Sequence, residues 1–264
     1  MLLNMMSVFS QVHWAVIDTW VVTKRNLIRY LRVPQLLIFS TIQPVMFLLL
    51  FTFVFGGAIQ VPGGNYINFL LPGVLIQSVI FGAIQTGIGL SDDLSKGLID
   101  RFRSLPMVRL AVLAGRTLSD AIRNVFVVSM MLMIGAAIGF RPEGGFLATV
   151  TAGMLAVLFG FAFSWISASI GLAVKNPETA QVAGFIWVFP LVFASSAYVP
   201  IDTMPAALKA FATISPVTVT INAVRALMGG LPLENNLLYA FVWMAGILLI
   251  FIPLAVRSYK RVNS

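Results

Sequence analysis

An all-α integral membrane protein is the fold class the sequence predicts, on three observations. Of 264 residues, 59% are hydrophobic and only 10% charged, where a soluble domain carries roughly 25% charged residues. Six long apolar runs contain no Asp, Glu, Lys or Arg. The Lys and Arg residues crowd into alternate segments between those runs. A mean hydropathy of +0.96 excludes a soluble globular enzyme, a disordered chain and a nucleic-acid-binding module. The net charge of +8 would suggest nucleic acid on a soluble protein. Here cationic loops kept on the cytoplasmic side account for it. No cysteine is present, so there is no disulfide framework and no thiolate metal site.

The runs are Leu36 to Phe55, Phe69 to Leu90, Val125 to Phe140, Phe146 to Val174, Val182 to Val199 and Leu237 to Val256. A crossing helix needs about 20 apolar residues. The third run is short unless Ala121 to Asn124 joins it, which would put Arg123 at the interface. The fourth is long enough to tilt. The runs are continuous rather than alternating, so they predict helices and not a β-barrel. A cleavable signal peptide is not expected, because the first apolar run starts only near Leu36.

Orientation follows from the cations. Segments on one side carry Lys24, Arg25, Arg29 and Arg32, then the six from Lys96 to Arg123, then Lys175, then Arg257, Lys260 and Arg261. The other side carries only Arg141, Lys209 and Arg225. Positive residues mark the cytoplasmic face, so both termini are expected inside. All five tyrosines, Tyr30, Tyr66, Tyr198, Tyr239 and Tyr259, fall beside span ends, as interfacial anchors would. Gly135 and Gly139 form a G-x-x-x-G, and Gly160, Ser164, Ser167 and Gly171 share one helical face. Such small residues let helices approach closely, and packing within the chain is the simpler account of them.

Three segments outside the runs carry more information. Ile17, Trp20, Val21, Leu27, Ile28 and Leu31 cluster on one side of a helix, with Asp18, Arg25, Arg29 and Arg32 opposite. Lys24 is the misfit, and its stem could snorkel. Pro34 breaks the helix before the first run. This is the pattern of a helix lying flat on the cytoplasmic membrane surface, either as a lipid anchor alone or as a surface that also touches a cytoplasmic subunit. His13, the single histidine, reads as interfacial packing.

Ser91 to Arg123 reads as the largest cytoplasmic connection, with four Asp against six Lys and Arg. Within it Leu98 to Ser104 has room for two helical turns. Ile99 and Phe102 are apolar residues in a strongly charged stretch, which suggests a docking element rather than a solvated connector. The third segment, Val199 to Gly230, is too long and apolar for a plain loop. Pro205 and Pro216 open two short helices, Ser215 stands at the N-cap of the second and Gly229 ends it. At about 1.5 Å per residue, neither crosses a core of about 30 Å, so the pair is read as dipping into the outer leaflet. Thr218, Asn222 and Arg225 share a face that must point into protein or water, because a lipid-exposed Arg is costly.

The chemistry that is absent narrows the function. There is no phosphate-cradling G-x-x-x-x-G-K-[ST] loop, no H-E-x-x-H and no Ser-His-Asp arrangement. Proton- and ion-coupled carriers usually place an acid or His at membrane depth, whereas these runs carry none. Energy is therefore expected to enter from another polypeptide.

Two stretches carry a resemblance. Arg103-Ser104-Leu105-Pro106-Met107-Val108-Arg109, followed by Gly115-Arg116, resembles the signature of the type-2 family of ABC export permeases. Val199-Pro200-Ile201 through Met204-Pro205, then Ser215-Pro216-Val217-Thr218 through Arg225-Ala226-Leu227, is similar to the family's segment before the last span. Within the family the chain looks like the daunorubicin-resistance permease branch, although Val108 stands where that signature often has Ser. The resemblance covers nearly the whole chain, with both motifs in order.

The resemblance implies one permease domain over residues 1–264. It would hold six spans, a connecting helix over 11–32 with Asp18, Arg25, Arg29 and Arg32, a cytoplasmic coupling region over 91–123, and external re-entrant helices over 200–230 with Pro205, Pro216, Asn222 and Arg225. Gly97, Leu98, Ile99, Asp100, Arg101, Phe102 and Arg103 would form the coupling helix. Two permease copies, as a homodimer or heterodimer, would pair with two separate ATPase subunits, which would bind ATP and Mg. This chain would bind no cofactor of its own and no nucleic acid, and would sit among lipids of the bacterial inner membrane. Export of hydrophobic drugs or lipid-like molecules is the function implied. A lipid-linked glycan exporter of the same family, an ion-coupled carrier and a membrane scaffold are the alternatives.

Overall fold

The computed structural model describes residues 2–59, 61, 65–98, 108–174 and 176–261. Among the described residues there are nine α-helices and no strand. They are α1 (Leu2–Arg32), α2 (Gln35–Leu50), α3 (Tyr66–Ser95), α4 (Arg109–Ala137), α5 (Gly145–Ala173), α6 (Pro177–Phe193), α7 (Ala206–Ile214), α8 (Pro216–Gly229) and α9 (Asn236–Arg261). The last turn of α2 widens into a π-helix over Phe51–Phe55.

Five helical stretches are long and apolar enough to cross a membrane: α2 with its π turn, α3, α4, α5 and α9. The 17 residues of α6 reach about 25 Å, the short end of what spans a bilayer. These six correspond to the six apolar runs. Helices α7 and α8 are 9 and 14 residues long and meet at an angle of 69°. Pro216 makes the bend, since it can open a helix but cannot continue one. Ser215 stands where an N-cap belongs, yet its hydroxyl makes no capping bond, and the left-handed residue that closes α8 is Gly230, φ +64°.

The centre of the molecule is α3. In its most apolar stretch 89% of residues are buried, against 17% for α2 and α9. Leu70, Leu71, Leu75, Ile76 and Ile80 are all fully buried. Its closest neighbour is α5, and the two backbones nearly touch: a Cβ on Gly171 would run into the main chain of Gly87. Gly160 and Ser167 lie against α3 in the same way, so the small-residue face of α5 serves packing within the chain.

Helix boundaries depart from the apolar runs at α6, which runs from Pro177 to Phe193 rather than from Val182 to Val199, and most of all between α3 and α4. Helix α4 begins at Arg109, well before Val125, and α3 runs on to Ser95. The connection expected over 91–123 therefore shrinks to residues 96–108, and Arg116, Asp120 and Arg123 become buried helix residues. The charges can be buried because they pair with one another and with α3. Gly139 (φ +110°) lies beyond the end of α4, so Gly135 and Gly139 do not form one helix face. Tyr66, Tyr198 and Tyr259 are buried against the rest of the chain.

Candidate functional site

At the end of the molecule that carries α1, three helices converge on one carboxylate. Helix α1 crosses α4 at Gly115, where a Cβ would sit 2.7 Å from the Val22 Cβ and 2.9 Å from the Thr19 carbonyl oxygen. Only glycine permits that approach. The Thr23 hydroxyl then donates to the Gly115 carbonyl at 3.3 Å. Asp18 accepts from the Val108 N–H at 3.1 Å, placing an anion at the N-terminus of α4, where the helix dipole favours it.

One turn further along, Asp120 is fully buried. Tyr30 of α1 donates to its Oδ1 at 2.5 Å, and Thr86 of α3 donates to its Oδ2 at 2.5 Å. The Arg116 and Arg123 guanidiniums approach it to 3.7 and 3.6 Å. Arg123 also donates to the Gly82 carbonyl at 2.8 Å. Arg116 reaches Asp93 at 3.8 Å, and Arg25 of α1 meets the same Asp93 at 3.9 Å. A buried charge is tolerated when it is paired and hydrogen-bonded, and Asp120 is both. Burial, and then the Asp120 carboxylate, push the Tyr30 phenol up to about 12.

Beside this junction lies a cavity of about 400 Å³, within the range of small-molecule sites. Its polar end is formed by Asn26, Arg29, Tyr30, Arg116 and Arg123. Its aromatic side is formed by Phe39 of α2, Phe81 of α3 and Phe185 of α6, with Gln43 and Gln85 between. From Phe185 a string of rings continues along α6 through Phe189 and Phe193 to Tyr198 and Phe51.

The opposite end is closed by Arg225 of α8. It donates to the carbonyls of Phe69 and Ser196, both at 3.0 Å, and to Asn222 at 3.0 Å. Its guanidinium lies 3.8 Å from the centre of the Phe69 ring. Thr218 accepts from the Ser196 N–H at 3.2 Å. The polar face Thr218, Asn222, Arg225 thus points into protein and fastens α8 to α3 and to the turn after α6. Tyr198 donates to Gln77, and Tyr66 to the Tyr198 carbonyl at 3.0 Å. Pro205 and Pro216 sit at the starts of α7 and α8.

Of the expected coupling residues, Gly97 (φ +67°) turns the chain out of α3 and Leu98 is half-buried. Ile99, Asp100, Arg101, Phe102, Arg103, Leu105 and Pro106 lie outside the described residues. Arg109 opens α4. In the connecting helix, Asp18 and Arg25 bind other parts of this chain, while Arg29 and Arg32 are exposed. Sequence reasoning missed Asp120, Tyr30, Thr86 and Asp93 as one cluster. A signal existed: Arg116, Asp120 and Arg123 recur at i, i+4 and i+7, the spacing of one helical face.

Residues 17–228 match the family described as ABC-2 type transporter. The chain is 36% identical over 240 residues to the daunorubicin resistance ABC transporter permease protein DrrB1 of Streptomyces coeruleorubidus, covering 91% of this chain and 85% of that one. It is 28% identical over 252 residues to the probable doxorubicin resistance ABC transporter permease protein DrrC of Mycobacterium tuberculosis, covering 94% and 90%. The chain belongs to the ABC-2 type transporter family. It is a multi-pass membrane permease subunit of an ABC transporter, a transport component whose family works with an ABC ATPase subunit.

Proposed function

We propose that this permease is the transmembrane half of an ATP-driven exporter of hydrophobic drugs or lipid-like molecules. Residues 1–264 form one permease domain. Two copies, alike or paired with a second permease, assemble with two copies of a separate ATPase that binds ATP and Mg, in the bacterial inner membrane with both termini in the cytoplasm. The names of the two drug-resistance relatives support the cargo class. The observation that carries the mechanism is the Asp120 junction. Residues 97–103, in the sequence between α3 and α4, are the segment on which the ATPase would press. Both flanking helices, and α1 with them, meet at Asp120, Asp93 and the two arginines. Because Tyr30, Arg116 and Arg123 also line the cavity, movement of that segment reaches the cavity through side chains already in contact.

The test is reconstitution of the permease with its co-purifying ATPase in proteoliposomes. Transport should require ATP, and the permease alone should hydrolyse none. Transport by the permease alone on a proton or sodium gradient would overturn the reading.

A further inference from the structure

We infer that the cavity beside the Asp120 junction takes the head of an acidic amphiphile, an anionic oxygen group such as a phosphate carried on an apolar tail, with Arg29 as the residue that selects it. The inference rests on the exporter reading and narrows its cargo.

Charge comes first. Three arginines line the polar end: Arg29, Arg116 and Arg123. Asp93 and Asp120 are taken up by Arg116 and Arg123, and Asp93 also meets Arg25. Asp92 also lines the cavity, but Lys96 takes it at 2.7 Å. Arg29 has no ion-pair partner among the described residues. The polar end is therefore short of negative charge, and a ligand bearing an anionic oxygen supplies what is missing. An amine of the same size would meet the same surplus with the wrong sign.

Hydrogen bonding points the same way. Asn26 is 4% exposed and its amide nitrogen has no partner. The Nε atoms of Arg116 and Arg123 likewise make no hydrogen bond. These unmet groups are all donors but have no accessible surface; the donors a ligand reaches are those of the exposed Arg29, and they call for an acceptor-rich ligand. The tail follows from the walls. Phe39, Phe81 and Phe185 form the other side, between α2 and α6, which scarcely touch each other, and Phe39 is largely exposed. Arg29 also lines a second groove on α1 with Arg25 and Arg32. It therefore stands where an anionic head would pass from the membrane surface into the cavity.

The test uses the full chain in phosphatidylcholine nanodiscs, with empty discs as the background for partitioning. Binding of radiolabelled dodecyl phosphate is compared with that of dodecyltrimethylammonium, and butyl phosphate and inorganic phosphate are added as competitors. Dodecyl phosphate should bind at least about tenfold more tightly than the ammonium probe. Arg29→Gln should remove most of that preference and Arg29→Lys should keep it, and Arg29 is exposed enough for both variants to fold. Equal or tighter binding of the ammonium probe would overturn the inference, as would an unchanged preference in Arg29→Gln. Competition by butyl or inorganic phosphate at the concentration that saturates dodecyl phosphate would mark a site for free anions and sink the amphiphile. ATP-driven export by the reconstituted complex is read separately: with export intact, a preference for ammonium defeats only the head-group class.

Discussion

Asp120 shows how a charged residue can lie inside a protein of this composition. Two hydroxyls and two guanidiniums surround it, so deleting the carboxylate strands the buried Arg123 and leaves Arg116 with Asp93 alone. Breaking a buried pair from one side commonly costs about 3–5 kcal/mol. Asp120→Ala should therefore lower the melting temperature of the purified permease sharply. Tyr30→Phe removes one donor to a charged carboxylate and should cost about 1.5–3 kcal/mol. The same phenol gives an alkaline signature. Tyr30 is held above the ordinary tyrosine value of about 10, up to about 12, so the folded state favours the protonated form. Its contribution is intact below about pH 10, where the unfolded phenol is also protonated, and is lost as pH climbs through about 12. Melting curves across that window should fall less steeply for Tyr30→Phe than for the wild type, and identical slopes would show that Tyr30 does not titrate with folding. At this scale the sequence was partly legible. Gly115-Arg116 stood out as a motif, and the structure supplies its physics: the glycine admits α1, and the arginine reaches both Asp93 and Asp120. What stayed hidden was Asp120 itself: the spacing of Arg116, Asp120 and Arg123 marks one helical face, but in a stretch with four acids and six bases it does not say whether that face is buried or solvated.

At the scale of elements, apolar runs located the crossing helices well and their ends poorly. Hydropathy falls wherever charges appear, so the first four turns of α4 read as connection although Arg116, Asp120 and Arg123 are paired inside. The start of α6 was missed for a related reason. It is set by capping, not by apolarity: the Asn176 side chain accepts from the Glu178 N–H at 2.8 Å and Pro177 opens the helix. The arm of α7 and α8 was legible, because two prolines and the polar spacing of Thr218, Asn222 and Arg225 depend on local rules alone. The shortened connection between α3 and α4 sharpens the role expected of residues 97–103, since less chain separates the ATPase contact from the junction. Phe102 is the apolar anchor proposed there. Truncating an anchor of this kind commonly costs more than about 1 kcal/mol of binding. Phe102→Ala should weaken ATPase pull-down or uncouple hydrolysis from export, at wild-type abundance in the membrane. Wild-type values for pull-down, ATP turnover and transport would leave the segment as a solvated connector.

For the whole molecule, the decisive asymmetry is charge. Fourteen of the 17 Lys and Arg fall in one set of alternate segments and three in the other. Cations of the richer set hold the Asp120 and Asp93 junction together. Of the poorer set, Arg225 is spent fastening α8 to α3 and Arg141 donates to the carbonyls of Ala136 and Phe140. Arg141 and Lys209 remain on the surface there, Lys209 paired with Asp202 at 2.7 Å. The imbalance at the surface is thus greater than the count, because one of the three cations at the poor end, Arg225, is used up in internal hydrogen bonds. By the rule that cationic loops stay inside, the α1 end is expected to face the cytoplasm and the α7–α8 arm to face out. The chain has no cysteine, so single cysteines report cleanly. Gly63→Cys and Lys209→Cys should react in sealed cells with a membrane-impermeant thiol reagent, and Lys96→Cys should react only after the cells are opened. Replacing Lys96 breaks only its exposed pair with Asp92, and pairs of that kind contribute little to stability, so the fold survives the probe. Labelling of Lys96→Cys from outside would invert the topology, and with it the side on which an ATPase could reach residues 97–103.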